Sequence, residues 1–131
     1  MLSNYLGNKI LDLVLGGVAL VPPDNVELAL FTEMPTAAGG GTEVTGGAYA
    51  PVVIANTLTN FPAAADKQKT NGTDLSFPAP SGSWTEITGM VIRDADTGDL
   101  LMFAEFVAPF SAPVGYPLEF PAGSLTFKAF N

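Results

Sequence analysis

The sequence predicts a mainly β fold, an antiparallel β-sandwich or jelly-roll-like barrel, with one N-terminal α-helix. Three observations carry this expectation. Hydrophobic residues make up 47% of the 131 and charged residues only 14%, the balance of a chain that buries a core rather than of a disordered one. The 14 glycines and 11 prolines suit a fold with many tight turns. From residue 26 onward, short runs rich in Val, Ile, Thr and Phe alternate with Gly- and Pro-rich punctuation, the spacing of an all-β domain. The length fits a single domain, 1–131.

The helix is expected over about residues 3–15. Ser3 or Asn4 can cap it, Leu2, Leu6, Ile10, Leu13 and Val14 recur at helical spacing, and Gly16-Gly17 stops it. Tyr5 and Leu11 widen the apolar stripe. Cover by the helix's own domain is the favoured reading, cover by a neighbouring subunit the other.

Strands are expected from about residue 26 to residue 130. Val26, Leu28 and Leu30 alternate with Glu27, Ala29 and Phe31, and Glu33-Met34-Pro35 ends the run. Thr36–Gly47 reads as a Gly-rich loop. Tyr49–Thr59 reads as a strand whose Pro51 places its start at an edge or bulge. Ala63–Gly72 reads as an exposed polar loop, and Leu75-Ser76-Phe77 as a short strand. Trp84–Arg93 and Leu100–Val107, joined by Asp94-Ala95-Asp96-Thr97-Gly98-Asp99, read as a hairpin. Val114–Phe120 and Ser124–Phe130 supply two further strands around Pro121-Ala122-Gly123.

Composition removes whole classes of function. Without Cys or His, the chain lacks disulfides, thiolate nucleophiles, the usual zinc ligands and the commonest acid–base group. Five Lys and Arg against 13 Asp and Glu give a net charge of −8, the opposite of a phosphate-binding surface, so no nucleic-acid partner is expected. The apolar run Ile10–Val21 is interrupted by Asp12 and too short for a bilayer, so no membrane partner is expected either. No cofactor motif is present. A catalytic triad or nucleophile elbow is missing too, and the chain is read as a non-enzyme.

Two motifs invite chemistry. Asp94, Asp96 and Asp99 alternate as calcium ligands do, but the glycine falls one position early and a strand follows. The turn reading therefore outweighs the metal reading. The Gly39-Gly40-Gly41 loop lacks the lysine and the following helix that a phosphate loop needs, and reads as a flexible loop that a neighbouring subunit orders. Asn71-Gly72-Thr73 matches a glycosylation acceptor, which is uninformative without a secretory route.

Residues Glu27–Ile54 (ELALFTEMPTAAGGGTEVTGGAYAPVVI), Phe77–Phe106 (FPAPSGSWTEITGMVIRDADTGDLLMFAEF) and Leu118–Phe127 (LEFPAGSLTF) follow an N-terminal LSNYL-x-NKILD helix. In this order they resemble small virion structural proteins of tailed bacteriophages, often labelled tail-fibre or structural proteins. Such sequences commonly follow the tyrosine of the Gly-Gly-x-Tyr-Ala segment with arginine, where this chain has Ala50-Pro51 after Tyr49. The resemblance implies a component of the virion, assembled in the host cytoplasm. The favoured role is a capsid decoration (cement) protein that binds the major capsid protein between capsomers. The alternatives are another virion partner, as a tail or tail-fibre adaptor, and a host-receptor (carbohydrate) binding module. A homotrimer is expected, with Leu6, Ile10, Gly39, Gly40, Gly41 and Tyr49 as interface candidates.

Overall fold

The computed structural model of the chain describes residues 1–128, the side chain of Thr85 excepted. Helix α1 (Asn4–Gly16) is followed by nine strands: β1 (Asn25–Glu33), β2 (Thr42–Glu43), β3 (Val52–Ala55), β4 (Gln68–Thr70), β5 (Leu75–Ser76), β6 (Trp84–Asp94), β7 (Leu100–Ala112), β8 (Glu119–Phe120) and β9 (Thr126–Lys128). The expected mainly β, antiparallel fold with one N-terminal helix is the one formed. The layers are sandwich-like, and the described residues close no barrel.

The helix begins where the sequence places it because Ser3 stays extended while its Oγ accepts the Leu6 N–H at 3.1 Å. It ends at Gly17, which takes φ 67°, so that the Val18 N–H reaches back to the Asp12 carbonyl at 3.0 Å. Ahead of it, Met1–Ser3 line the edge of β7. Phe103 N–H donates to the Met1 carbonyl at 3.0 Å and Ser3 N–H to the Leu101 carbonyl at 2.9 Å.

The main sheet is built on the hydrophobic strand β1. On one side β6 pairs with it from Val26↔Asp94 to Phe31↔Gly89, and β7 pairs with β6 beyond. On the other side β1 changes partner midway, taking β3 along Asn25–Leu28 and then β2 at Phe31 and Glu33. The β6–β7 hairpin is continuous over Arg93↔Leu100 to Gly89↔Glu105 apart from one extra residue at Leu101, then breaks. Ile87 pairs Phe110, which leaves Phe106–Pro109 extruded from β7. Pro109, which has no N–H to give a ladder, sits in that bulge.

Val26, Leu28 and Leu30 of β1 join Ile87, Met90 and Trp84 of β6 in the principal core. The second layer consists of two small sheets, β4–β9 and β5–β8. Together with the adjoining loops they bring Phe61, Leu75, Phe77, Phe120 and Phe127 onto the same core. On the opposite face of the main sheet, Ala29, Phe31 and Val91 form a smaller cluster with Met34, Leu100 and Phe103.

Four sequence-based expectations need correction. No residue of α1 is fully buried; its own domain half-covers only the inner side, at Leu6 and Ile10, and not the whole stripe as the favoured reading had it. The Thr36–Gly47 loop contains strand β2. The 63–72 segment is not simply an exposed loop, since it supplies β4 and ends in Asn71, 1% exposed. The 114–120 strand shrinks to Glu119–Phe120 because Pro113–Gly115 turn first. Of the expected 124–130 strand, Thr126–Lys128 form β9, and Ala129 and Phe130 lie outside the described residues.

Candidate functional site

The polar centre of the molecule is built around Arg93 on β6. Its cross-strand partner is Glu27 on β1, and its Nε donates to Glu27 Oε2 at 2.8 Å. The two terminal nitrogens of the guanidinium clasp Glu43 on β2, at 2.8 and 3.1 Å. This is the paired geometry a planar guanidinium favours. Burial alone lowers the tendency of Arg93 to hold its proton, but the hydrogen bonds to Glu43 and Glu27 outweigh it and raise the group above its ordinary value.

Tyr49 completes the cluster. Its hydroxyl donates to Glu43 Oε2 at 2.7 Å and accepts the Leu30 N–H at 3.0 Å. Leu30 stands where β1 passes from β3 to β2, so neither short strand offers its amide a carbonyl, and the tyrosine oxygen fills that gap. The Tyr49 ring packs edge-on against Trp84, with centroids 5.3 Å apart. Burial first, and the Glu43 hydrogen bond second, push the phenol well above its ordinary value of 10.0.

A phenol whose folded-state value is raised favours folding below the unfolded value, and that contribution is lost as pH rises past it. From about pH 10 upward, stability should therefore fall by up to about 1.4 kcal/mol per pH unit through this group alone. Urea titrations across that range should show a shallower decline in Tyr49→Phe than in the native chain, on a lower overall stability. Parallel declines would remove Tyr49 from the effect.

A cleft of about 460 Å³ opens beside this cluster, lined by Tyr5, Phe31, Gly39, Gly40, Arg93 and Asp99 among others. It brings together Gly39, Gly40 and Asp99, three of the candidates singled out in the sequence, while Gly41 does not line it. Gly39, Gly40 and Gly41 have φ of 110°, 85° and 83°, conformations that glycine adopts without strain. Thr36 and Gly39 exchange backbone hydrogen bonds at 3.0 and 2.9 Å, which tighten the start of the loop. Because Arg93 already has two carboxylate partners, the cleft offers a shaped surface rather than an unpaired charge.

The aspartates of the β6–β7 turn serve the turn. Asp94 Oδ1 accepts the Asp96 and Thr97 N–H groups at 2.8 and 3.3 Å, while Asp99 Oδ2 accepts the Thr97 hydroxyl at 2.8 Å. Among the described residues no three His, Cys, Asp or Glu side chains converge as metal ligands. Tyr49, an interface candidate from the sequence, is placed inside the fold with only part of its ring accessible. Leu6 and Ile10 lie half-buried on the inner side of α1, and Leu6 packs on the principal core.

The outer side of α1 carries Leu11 and Val14, which the sequence placed in the apolar stripe, and Leu15, which it did not. Leu11, Val14 and Leu15 are 57, 69 and 80% exposed, and Val18 and Val21 continue the apolar surface beyond the helix. The signal was present in the run Ile-Leu-Asp-Leu-Val-Leu, apolar on every side of a helix but for Asp12. A second apolar surface is a groove of about 520 Å³ between β6–β7 and β9, floored by Met90, Ile92, Met102, Phe106, Leu125 and Phe127.

An exposed apolar helix side and an open apolar groove mark surfaces at which a protein meets something else. The model of the family described as Gp80, Podophage GP4 fiber I protein gp80, matches residues 1–128, and the chain belongs to that family. It is accordingly a fibre- or tail-associated structural component of the virion that contacts other virion subunits. No curated protein matches the chain.

Proposed function

We propose that the protein is a small, non-enzymatic fibre subunit that acts by docking, as a homotrimer, against other proteins of the phage tail. The observation that carries this is the family match across nearly the whole chain. The absence of His and Cys from the sequence supports a purely structural role, and the net charge of −8 keeps free subunits apart until a complementary surface is met. The 131 residues act as one domain, with the Gly39–Gly41 loop and α1 presented to partners.

The capsid decoration role is the second reading, with the major capsid protein as partner. It is favoured by a sequence without fibrous repeat or long linker. Copy number separates the two. A decoration protein follows the head lattice and is present on the order of hundreds of copies per particle, whereas a tail protein follows the small cyclic symmetry of the tail. Quantitative mass spectrometry of purified virions should give the low, tail-matched count, with antibody label at the tail vertex. Lattice-scale copy number with label over the head would replace the fibre reading by decoration.

A further inference from the structure

We propose that the Asn71-Gly72 pair is a modification site, a deamidation centre that the closed fold shields and that converts to aspartate or isoaspartate only when the second layer opens. Conversion then holds that layer open. The site is set by packing inside the subunit and is the same wherever in the virion the subunit sits.

The chemistry needs an asparagine side-chain carbonyl and the backbone nitrogen of the next residue. That nitrogen attacks the side-chain carbonyl carbon, the new C–N bond closes a succinimide ring, and the side-chain nitrogen leaves with the amide proton as ammonia. Water then opens the ring at either carbonyl and leaves aspartate or isoaspartate. Glycine is the most permissive second residue, since no Cβ hinders the approach and its backbone turns freely. Among the asparagines of the chain, only Asn71 is followed by glycine.

The fold holds both reacting groups away from this course. The nucleophile is occupied, for Gly72 N–H donates to the Asn60 carbonyl at 2.7 Å. The electrophile is pinned, with Nδ2 donating to the Thr73 and Pro121 carbonyls and Oδ1 accepting the Leu125 N–H. The peptide between them cannot swing round. The Asn71 carbonyl accepts the Gly123 N–H at 2.7 Å, and Gly72 packs so closely that a Cβ there would run into the Thr59 carbonyl oxygen. A side chain 1% exposed also keeps out the water that takes up the proton and opens the ring. Packing thus requires both the asparagine and the glycine, and it places the most reactive pair of the chain where the core closes.

Most of these holds reach from two segments, residues 59–62 and the 121–125 turn between β8 and β9. Withdrawal of the turn frees the Asn71 amide, and an exposed bond from Ala122 N–H to Asp74 Oδ1, at 2.8 Å, helps to tie the turn down. A converted chain cannot close again. Aspartate turns a carboxylate oxygen toward the Thr73 and Pro121 carbonyls. Isoaspartate lengthens the backbone by a methylene beside the carbonyl that accepts the Gly123 N–H.

Peptide mapping in heavy-oxygen water tests the site, since each conversion fixes a labelled oxygen at residue 71. At mildly alkaline pH, the chain unfolded in guanidinium chloride should convert at Asn71 faster than at any other asparagine. The folded chain should convert at least about a hundredfold more slowly, as for a segment open less than about one per cent of the time. Asp74→Ala removes an exposed tie and leaves Asn71 and Gly72 untouched, and circular dichroism checks that it folds. It should speed conversion of the folded chain about threefold to tenfold and leave the unfolded rate unchanged. The converted chain, separated by its added negative charge, should melt below the native chain or fail to refold. Equal rates in the folded and unfolded chains overturn the proposal, as does an unfolded chain that converts elsewhere first. So do a folded Asp74→Ala chain that converts no faster than native, and a converted chain that melts with the native one.

Discussion

Replacing Asn71 by leucine is expected to destabilise the fold by about 3–5 kcal/mol, a large share of the roughly 5–15 kcal/mol that holds a domain together. The side chain is 1% exposed, and its amide works on both sides. Nδ2 donates to the carbonyls of Thr73 and Pro121 at 3.0 and 2.9 Å, and Oδ1 accepts the Leu125 N–H at 2.9 Å. Leucine has similar volume but leaves these buried groups without partners. A melting temperature lower by about 10–20 °C is expected. Asn71→Asp keeps the acceptor but turns a carboxylate oxygen toward the Thr73 and Pro121 carbonyls, so near neutral pH it should be destabilised at least as much as leucine. A leucine variant that melts with the native protein would show that the backbone groups find water or each other instead.

The second large effect is expected at Trp84. The indole is 2% exposed, stands edge-on to Tyr49, and donates from Nε1 to the Gly47 carbonyl at 2.9 Å. It thereby fixes the turn at Gly46-Gly47, where a Cβ on Gly47 would lie 2.6 Å from the Gly82 carbonyl and 2.9 Å from the indole nitrogen. Trp84→Ala should cost about 3–5 kcal/mol through lost burial and the cavity left behind. Trp84→Phe should recover most of the packing but not the hydrogen bond. Chemical denaturation followed by far-ultraviolet dichroism measures both. In the native chain the single tryptophan reports its own release from the core by a red shift in emission. An alanine variant within about 1 kcal/mol of native would mean that neighbouring side chains close the cavity.

The parts of this fold legible in the sequence are those whose cause is local. Ser3 and Gly17 bracket the helix because a cap and a left-handed residue act within a few positions. The β6–β7 hairpin was readable because Asp94–Asp99 supply the turn and the flanking residues alternate. Asn71 was hidden for the opposite reason. Between Lys69 and Gly72 it reads as a polar loop residue, and its partners are contributed by the 120–125 segment. The same holds for β2, two residues long, which exists only because β1 passes beside it.

The candidate surfaces divide along the same line. The apolar periodicity of α1 was plain, but whether its own chain covers it depends on where β7 carries the N-terminal residues. Periodicity says nothing about that. Tyr49 was singled out from its motif, and its link to Arg93 and Glu43 could not be seen because the three come from different elements. The Phe106–Pro109 bulge falls at and beyond the end of the expected Leu100–Val107 strand, which in the structure runs on to Ala112.

The long-range pairings also set the order in which the molecule is made. β4 is joined by β9 and β5 by β8, so each waits for a partner that the ribosome delivers much later. Until Phe120 and Phe127 emerge, the nascent chain exposes one face of its main sheet, and the hairpin β6–β7 is the largest piece that can settle early. Non-local closure of this kind is slow, and the waiting intermediate is prone to aggregate. The residues that complete the core, β9 among them, also form one wall of the groove. That wall of the groove is therefore finished only as the core itself closes.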